Sequence, residues 1–125
     1  MIYNQADLVL IPFPFSDLTG VKKRPALVLS KSDVQKETNH VICMMISSVT
    51  GSTPFDVNIE KWEESGLLKP SIARTNKVFT IDAPVILKKI GVLNQEEFKN
   101  ILDVFLKLFK ETDQEMVEVE PFENN

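Results

Sequence analysis

The sequence is poor in the residues that mark several common protein classes. It has one cysteine, Cys43, and one histidine, His40, in 125 residues. A lone cysteine cannot close an internal disulfide, and the expected compartment is the cytoplasm. One Cys and one His cannot furnish a usual zinc site, so no metal is expected. Glycine is scarce, at four residues. There is no Gly-rich phosphate loop, no nucleophile elbow and no metal-binding helix motif. No apolar run approaches the roughly 20 residues that span a bilayer. The N-terminus lacks the basic region, apolar stretch and cleavage site of a secretory signal. Internal repeats and low-complexity segments are absent too.

What is present is the composition of one globular domain. The net charge of −4 argues at first against a polyanionic partner. Its distribution reverses that. Residues 111–125 hold six acids (Glu111, Asp113, Glu115, Glu118, Glu120, Glu123) and no base. Residues 1–110 then carry 12 acids against 14 bases, a net of +2. The expected organisation is a folded domain over 1–110 and an acidic, flexible tail over 111–125.

The chain is organised around residues 7–30. Leu8 to Phe15 is apolar and β-prone, interrupted by Pro12 and Pro14, which place that strand end at an edge or bulge. Tyr3 to Gln5, ahead of it, reads as a mobile leader. Ala26 to Leu29 is a second apolar run. Lys31 to Asn39 lacks apolar periodicity and reads as a loop. His40 to Ile46 is a buried strand ended by Ser47 and Ser48. Val49 to Pro54 is a loop of turn formers, and Phe55 to Glu60 alternates like a half-exposed strand. Trp62 to Gly66 reads as one helical turn with Trp62 in the core. Ser71 to Ile81 reads as one or two short strands, and Asp82 as the cap of a brief turn. Asn94 stands three residues before Glu97, the spacing of a capping box. Phe98, Ile101, Leu102, Phe105, Leu108 and Phe109 then repeat as the stripe of an amphipathic helix. Leu106 widens that stripe toward a second subunit. Short strands followed by a helix predict a mainly β (β-rich α+β) domain, a strongly bent antiparallel sheet or barrel with the helix against it.

The cations Lys22, Lys23 and Arg24 stand where the chain re-enters the sheet. Pro25 pushes Arg24 into an extended conformation. If residues 24–30 and 40–47 pair as a hairpin, Arg24 lies near Ser47. An arginine beside a hydroxyl at a sheet end suits a phosphodiester, since a guanidinium neutralises charge on phosphoryl oxygens. The commonplace roles compete at each position. Arg24 is also a natural surface partner for Asp17, the serines are ordinary strand ends, and the lysines an ordinary solvated face. His40 lies about 23 Å from Ser47 along an extended strand and cannot serve the same site within one subunit.

The stretch Asp7-Leu-Val-Leu-Ile-Pro-Phe-Pro-Phe-Ser-Asp-Leu-Thr-Gly-Val-Lys-Lys-Arg-Pro-Ala-Leu-Val-Leu-Ser30 closely resembles the signature of the PemK/MazF family of toxin–antitoxin toxins. His40-Val-Ile-Cys-Met-Met-Ile-Ser-Ser48 resembles the family's third strand. The segments at 66–71, 77–82 and 89–93 and the last helix follow in the family's order. The resemblance, over roughly residues 5–110, implies an SH3-like curved β-barrel with a C-terminal helix, usually a homodimer. It implies a cytoplasmic, cofactor-free endoribonuclease acting on single-stranded RNA and held by a cognate antitoxin. RNA cleavage would proceed by 2′-hydroxyl attack, giving a 2′,3′-cyclic phosphate and a 5′-hydroxyl. The family's catalytic arginine falls on Arg24 and its catalytic threonine on Ser47, a departure that keeps the hydroxyl but loses the methyl that restricts its rotamer. Asp17, Thr19, Lys22 and Lys23 in the first loop, with Ser48 and Thr50 at the second, would border the RNA groove. The alternative is a non-catalytic toxin of the same fold that inhibits DNA gyrase or binds nucleic acid. The acidic tail is expected either to be a solubilising extension or to lie over the groove.

Overall fold

In the computed structural model the described residues are 1–13, 22–48, 53–110 and 120–122. The elements are β1 (Asp7–Phe13), β2 (Lys22–Val28), α1 (Ser32–Thr38), β3 (His40–Ser48), β4 (Asp56–Asn58), β5 (Ser71–Asp82), a 3₁₀ turn (Ala83–Val85), β6 (Lys88–Val92) and α2 (Gln95–Lys107). The strands form one antiparallel sheet in the order β4-β5-β3-β2-β1-β6. It is curved but not closed, with β4 and β6 as edges. The expected mainly β class with a C-terminal helix is what the chain adopts.

Alternation along β1, β2 and β3 builds two cores on opposite faces. Leu8, Leu27, Met44 and Ile46 belong to one, which receives Phe98 and Ile101 of α2. Val9, Ile11, Ala26, Val28, Cys43 and Met45 belong to the other. Asn94 caps α2 as its position suggests, its Oδ1 accepting from the Glu97 amide at 2.8 Å. The Glu97 carboxylate does not complete the capping box. It accepts from the Lys61 amide at 3.0 Å and so ties the helix to the 60–67 segment.

Two expectations are overturned. The 31–39 stretch is not a loop, because residues 32–38 form α1. Its buried contact is a glutamine, so no apolar period betrays the helix. Gln35 is also why Tyr3 to Gln5 is no mobile leader. Its Oε1 accepts from the Tyr3 amide at 2.8 Å and its Nε2 donates to the Met1 carbonyl at 2.7 Å. Trp62 is half-buried against the first core, and Asp82 makes no side-chain cap bond.

Pro12 behaves as its chemistry requires. β6 pairs with β1 only at Asp7 to Leu10, so Pro12 stands past the end of that ladder. Residues 71–81 form part of one long strand with a break in register. Met44 pairs with Val78 but Ile46 with Ala73, so Arg74 to Lys77 face a single residue of β3. That bulge bends β5 and re-aims the side chains at its start.

Candidate active site

Three strands supply the site, Arg24 near the start of β2, Ser47 near the end of β3 and Arg74 of β5 bonded to Ser47. β2 supplies Arg24. Its ladder with β3 runs Ala26↔Met45, Leu27↔Met44 and Val28↔Cys43. Alternation puts Arg24 on the face of Ala26 and Ser47 on the face of Met45, the pair that opens that ladder. The Arg24 guanidinium carbon stands 5.6 Å from the centroid of the Phe13 ring, a cation–π seat supplied by the neighbouring strand. The Arg24 Nε is buried and has no hydrogen-bond partner among the described residues. A buried, unsatisfied donor is costly unless something completes it, so the group is ready for an anionic acceptor.

Ser47 sits at the end of β3 opposite Ile72 of β5. Its Oγ accepts a hydrogen bond from Arg74 Nε at 2.8 Å. Arg74 is the first residue of the β5 bulge and is held from behind. Its Nη1 lies 3.5 Å from Oδ2 of Asp56, whose side chain is 3% exposed. The same Oδ2 accepts from the Thr53 amide at 2.8 Å. The bulge is fixed in turn by Thr75, whose hydroxyl donates to the Phe55 carbonyl at 2.7 Å. The chain Asp56–Arg74–Ser47 therefore orients one hydroxyl. With its acceptor side engaged by Arg74, Ser47 is left to donate its proton outward. Two guanidinium groups flanking a hydroxyl donor can bind a phosphodiester and stabilise charge building on its oxygens.

Among the sequence-predicted residues, Arg24 and Ser47 line one cleft. Lys22 and Lys23 are exposed at the start of β2, opposite Phe13 and Pro12. Ser48 pairs with Ser71 and points to the other face of the sheet from Ser47. Asp17, Thr19 and Thr50 lie outside the described residues, as does most of the acidic tail. His40 is at the opposite end of β3, its Nε2 3.1 Å from Asp82 Oδ1. Cys43 is fully buried, and desolvation pushes its thiol up to about 12, which removes it as a nucleophile at neutral pH. Sequence reasoning missed Arg74 and Asp56. The available signal was a cation inside the otherwise small and apolar run Ser71-Ile-Ala-Arg-Thr75.

A cleft of about 570 Å³ opens at the same strand ends, and Arg24 and Ser47 contribute to its wall. Among the described residues no carboxylate lines it. A hollow of about 560 Å³ between β4 and α2 is lined by Asp56, Glu60, Glu96 and Glu97, and its charge repels a phosphodiester. Among the described residues no three His, Cys, Asp or Glu side chains group as a metal site, and no helix is long and apolar enough to cross a membrane.

Solved structures share this fold. The MazE–MazF complex (Form-III) from Deinococcus radiodurans has a TM-score of 0.74 at 16% identity, over 87% of this chain and 97% of that one. An endoribonuclease in complex with its cognate antitoxin from a mycobacterial species has a TM-score of 0.70 at 11% identity, over 86% and 94%. The Mycobacterium tuberculosis toxin MazF-mt6 has a TM-score of 0.68 at 18% identity, over 82% and 95%. A search of curated proteins found no match. The model of the PemK-like, MazF-like toxins of type II toxin–antitoxin systems matches residues 4–109, and the chain belongs to that family.

Proposed function

We propose that this toxin is a metal-independent endoribonuclease that cleaves single-stranded RNA. The observation that carries the reading is the hydrogen bond from Arg74 to the Ser47 hydroxyl, with Arg24 lining the same cleft as Ser47. The RNA supplies its own nucleophile. The 2′-oxygen sheds its proton to water and attacks the adjacent phosphorus. The 5′-oxygen departs and takes a proton from water. The products are a 2′,3′-cyclic phosphate and a 5′-hydroxyl end. Arg24 stabilises the charge that grows on the nonbridging oxygens, and its buried Nε gains an acceptor there. Ser47 donates to the same phosphate and orients it. Arg74 is a positioning residue that replaces, by a hydrogen bond, the rotamer restriction a threonine methyl would give. Lys22 and Lys23 attract the strand at the entrance, with Asp17, Thr19, Ser48 and Thr50 as further groove residues.

A cognate antitoxin is the proposed partner, in line with the solved relatives captured with theirs. A homodimer is proposed too, and the exposed Leu106 of the last helix and Phe109 just past its end support it.

The test is incubation with a long RNA in EDTA, followed by mapping of the new ends. The wild type should leave 5′-hydroxyl and 2′,3′-cyclic phosphate ends. Arg24→Ala should lower the rate by about 10²–10³, the usual loss for one oxyanion donor. Undiminished cleavage by that variant would sink the assignment. Intact RNA with arrested growth and gyrase co-purifying would favour the non-catalytic reading instead.

A further inference from the structure

The hollow between β4 and α2 holds carboxylates whose charge the fold does not fully meet. Asp56, Glu60, Glu96 and Glu97 line it, and among the described residues Lys61 is the one base in its wall. Two of the four carboxylates are only half satisfied. The Asp56 side chain is 3% exposed. Its Oδ2 accepts from the Thr53 amide and faces Arg74, while its Oδ1 is buried and has no hydrogen-bond partner among the described residues. Glu97 gives its Oε1 to the Lys61 amide, and its Oε2 is likewise buried and unpartnered among the described residues. These oxygens are shut off from water, so their charge is weakly screened. Glu60 and Glu96 are exposed. The wall also includes Val57 of β4 and Val104 of α2, both half-buried.

We propose that this hollow binds a linear polyamine, its ammonium groups on the carboxylates and its methylene segments on Val57 and Val104. The proposal stands apart from the ribonuclease reading. Four arguments carry it. The sign is right, since four carboxylates face one ammonium among the described residues. The volume, about 560 Å³, lies in the range of small-ligand sites. The spacing selects the class. Among the described residues no three His, Cys, Asp or Glu side chains group closely enough to hold a metal ion. Ammonium groups joined by short methylene chains instead meet separated carboxylates in turn, and the methylenes find apolar wall between them. Last, a buried carboxylate oxygen without a partner is costly, and a cation seated beside it offsets that cost. The Asp56 and Glu97 oxygens are therefore where binding gains most, and Glu60 and Glu96 serve the ends of the ligand nearer solvent.

The test titrates the full chain with spermidine by calorimetry and by methyl NMR. Spermidine should bind at one site per chain, and magnesium at matched ionic strength should bind at least tenfold more weakly. Its addition should shift the Val57 and Val104 methyl signals and leave those of Val9 and Val28, in the second core, in place. Glu60→Gln/Glu96→Gln alters only exposed side chains, so the fold is kept, and it should weaken spermidine binding at least tenfold. Glu37→Gln/Asp82→Asn makes the same change in net charge on α1 and at the far end of β5, and should leave affinity within twofold. Equal weakening by the two double variants would reduce the hollow to a share of the general field and overturn the proposal. Magnesium binding as tightly as spermidine would do the same, since the hollow would then be a counter-ion site. A short arginine-rich peptide that shifts the same methyls and binds tighter than spermidine would make the hollow a protein-docking site instead. Absence of any spermidine binding sinks the inference whatever the protein does to RNA, and loss of RNA cleavage by Arg24→Ala leaves it untouched.

Discussion

Replacing Arg74 tests whether the site is a pair or a relay. Arg74→Ala removes two interactions that matter here, among others. The first is the Nε–H donor that holds the Ser47 hydroxyl at 2.8 Å. The second is the cation that faces Asp56, whose side chain is 3% exposed and whose Oδ1 is buried without a hydrogen-bond partner among the described residues. Stranding a buried carboxylate costs about 3–5 kcal/mol. The Thr53 amide still serves Oδ2, so the lower end of that range is expected. Loss of orientation at Ser47 should cost a further 10–100-fold in rate, or about 1.4–2.7 kcal/mol in the barrier. The two effects separate by experiment. Arg74→Ala/Asp56→Asn removes the stranded charge and should recover much of the stability without recovering activity. Urea melts report the first quantity and single-turnover cleavage of a defined RNA reports the second. If Arg74 acts through Ser47, then Ser47→Ala and Arg74→Ala share one loss, and the double variant should be little slower than the slower single. Additive losses would show that Arg74 does not work through the hydroxyl. A rate for folded Arg74→Ala within threefold of wild type would refute the relay altogether.

Other expectations concern the frame that holds the site. Gln35→Leu leaves the Tyr3 amide and the Met1 carbonyl without their partner. It should cost about 1–3 kcal/mol per stranded group at most and speed proteolysis at the N-terminus. Gly91→Ala drives a methyl into the Ser65 carbonyl. With Gly66 seated against Ile90 from the other side at φ +97°, the two backbones cannot part cheaply, and about 1–3 kcal/mol of stability should go by urea melt. Burial raises the Cys43 thiol from an ordinary 9.0 to about 12. A folded-state value above the unfolded one gives a stabilisation complete below pH 9 and lost as pH rises toward 12. The urea midpoint of the wild type should therefore fall more steeply between pH 9 and 11 than that of Cys43→Ala.

The sequence by itself determined the parts whose physics is local. Alternation and apolar runs marked β1 to β3, because period two is imposed by the pleat whatever the sheet does next. The Asn94 cap and the apolar stripe marked α2, since a helix start and its buried face are written within a few turns. Pro25 marked Arg24 as extended, and an assumed hairpin of the second and third strands, which do pair antiparallel, brought Ser47 near it. Tertiary structure decided what depends on partners remote in sequence. α1 was invisible because its buried residue is polar and becomes tolerable only when Met1 and Tyr3, more than 30 residues away, satisfy it. Arg74 was passed over because a cation in a short strand has no meaning until a bulge turns it. The register slip between Met44 and Ile46 aims it at Ser47, and Asp56 from an edge strand holds it there. The two faces of the β2–β3 end were likewise unreadable, since alternation says that neighbours diverge but not what each face meets. Only the folded sheet brings Arg74 onto the Ser47 hydroxyl and puts Arg24 and Ser47 in the wall of one cleft.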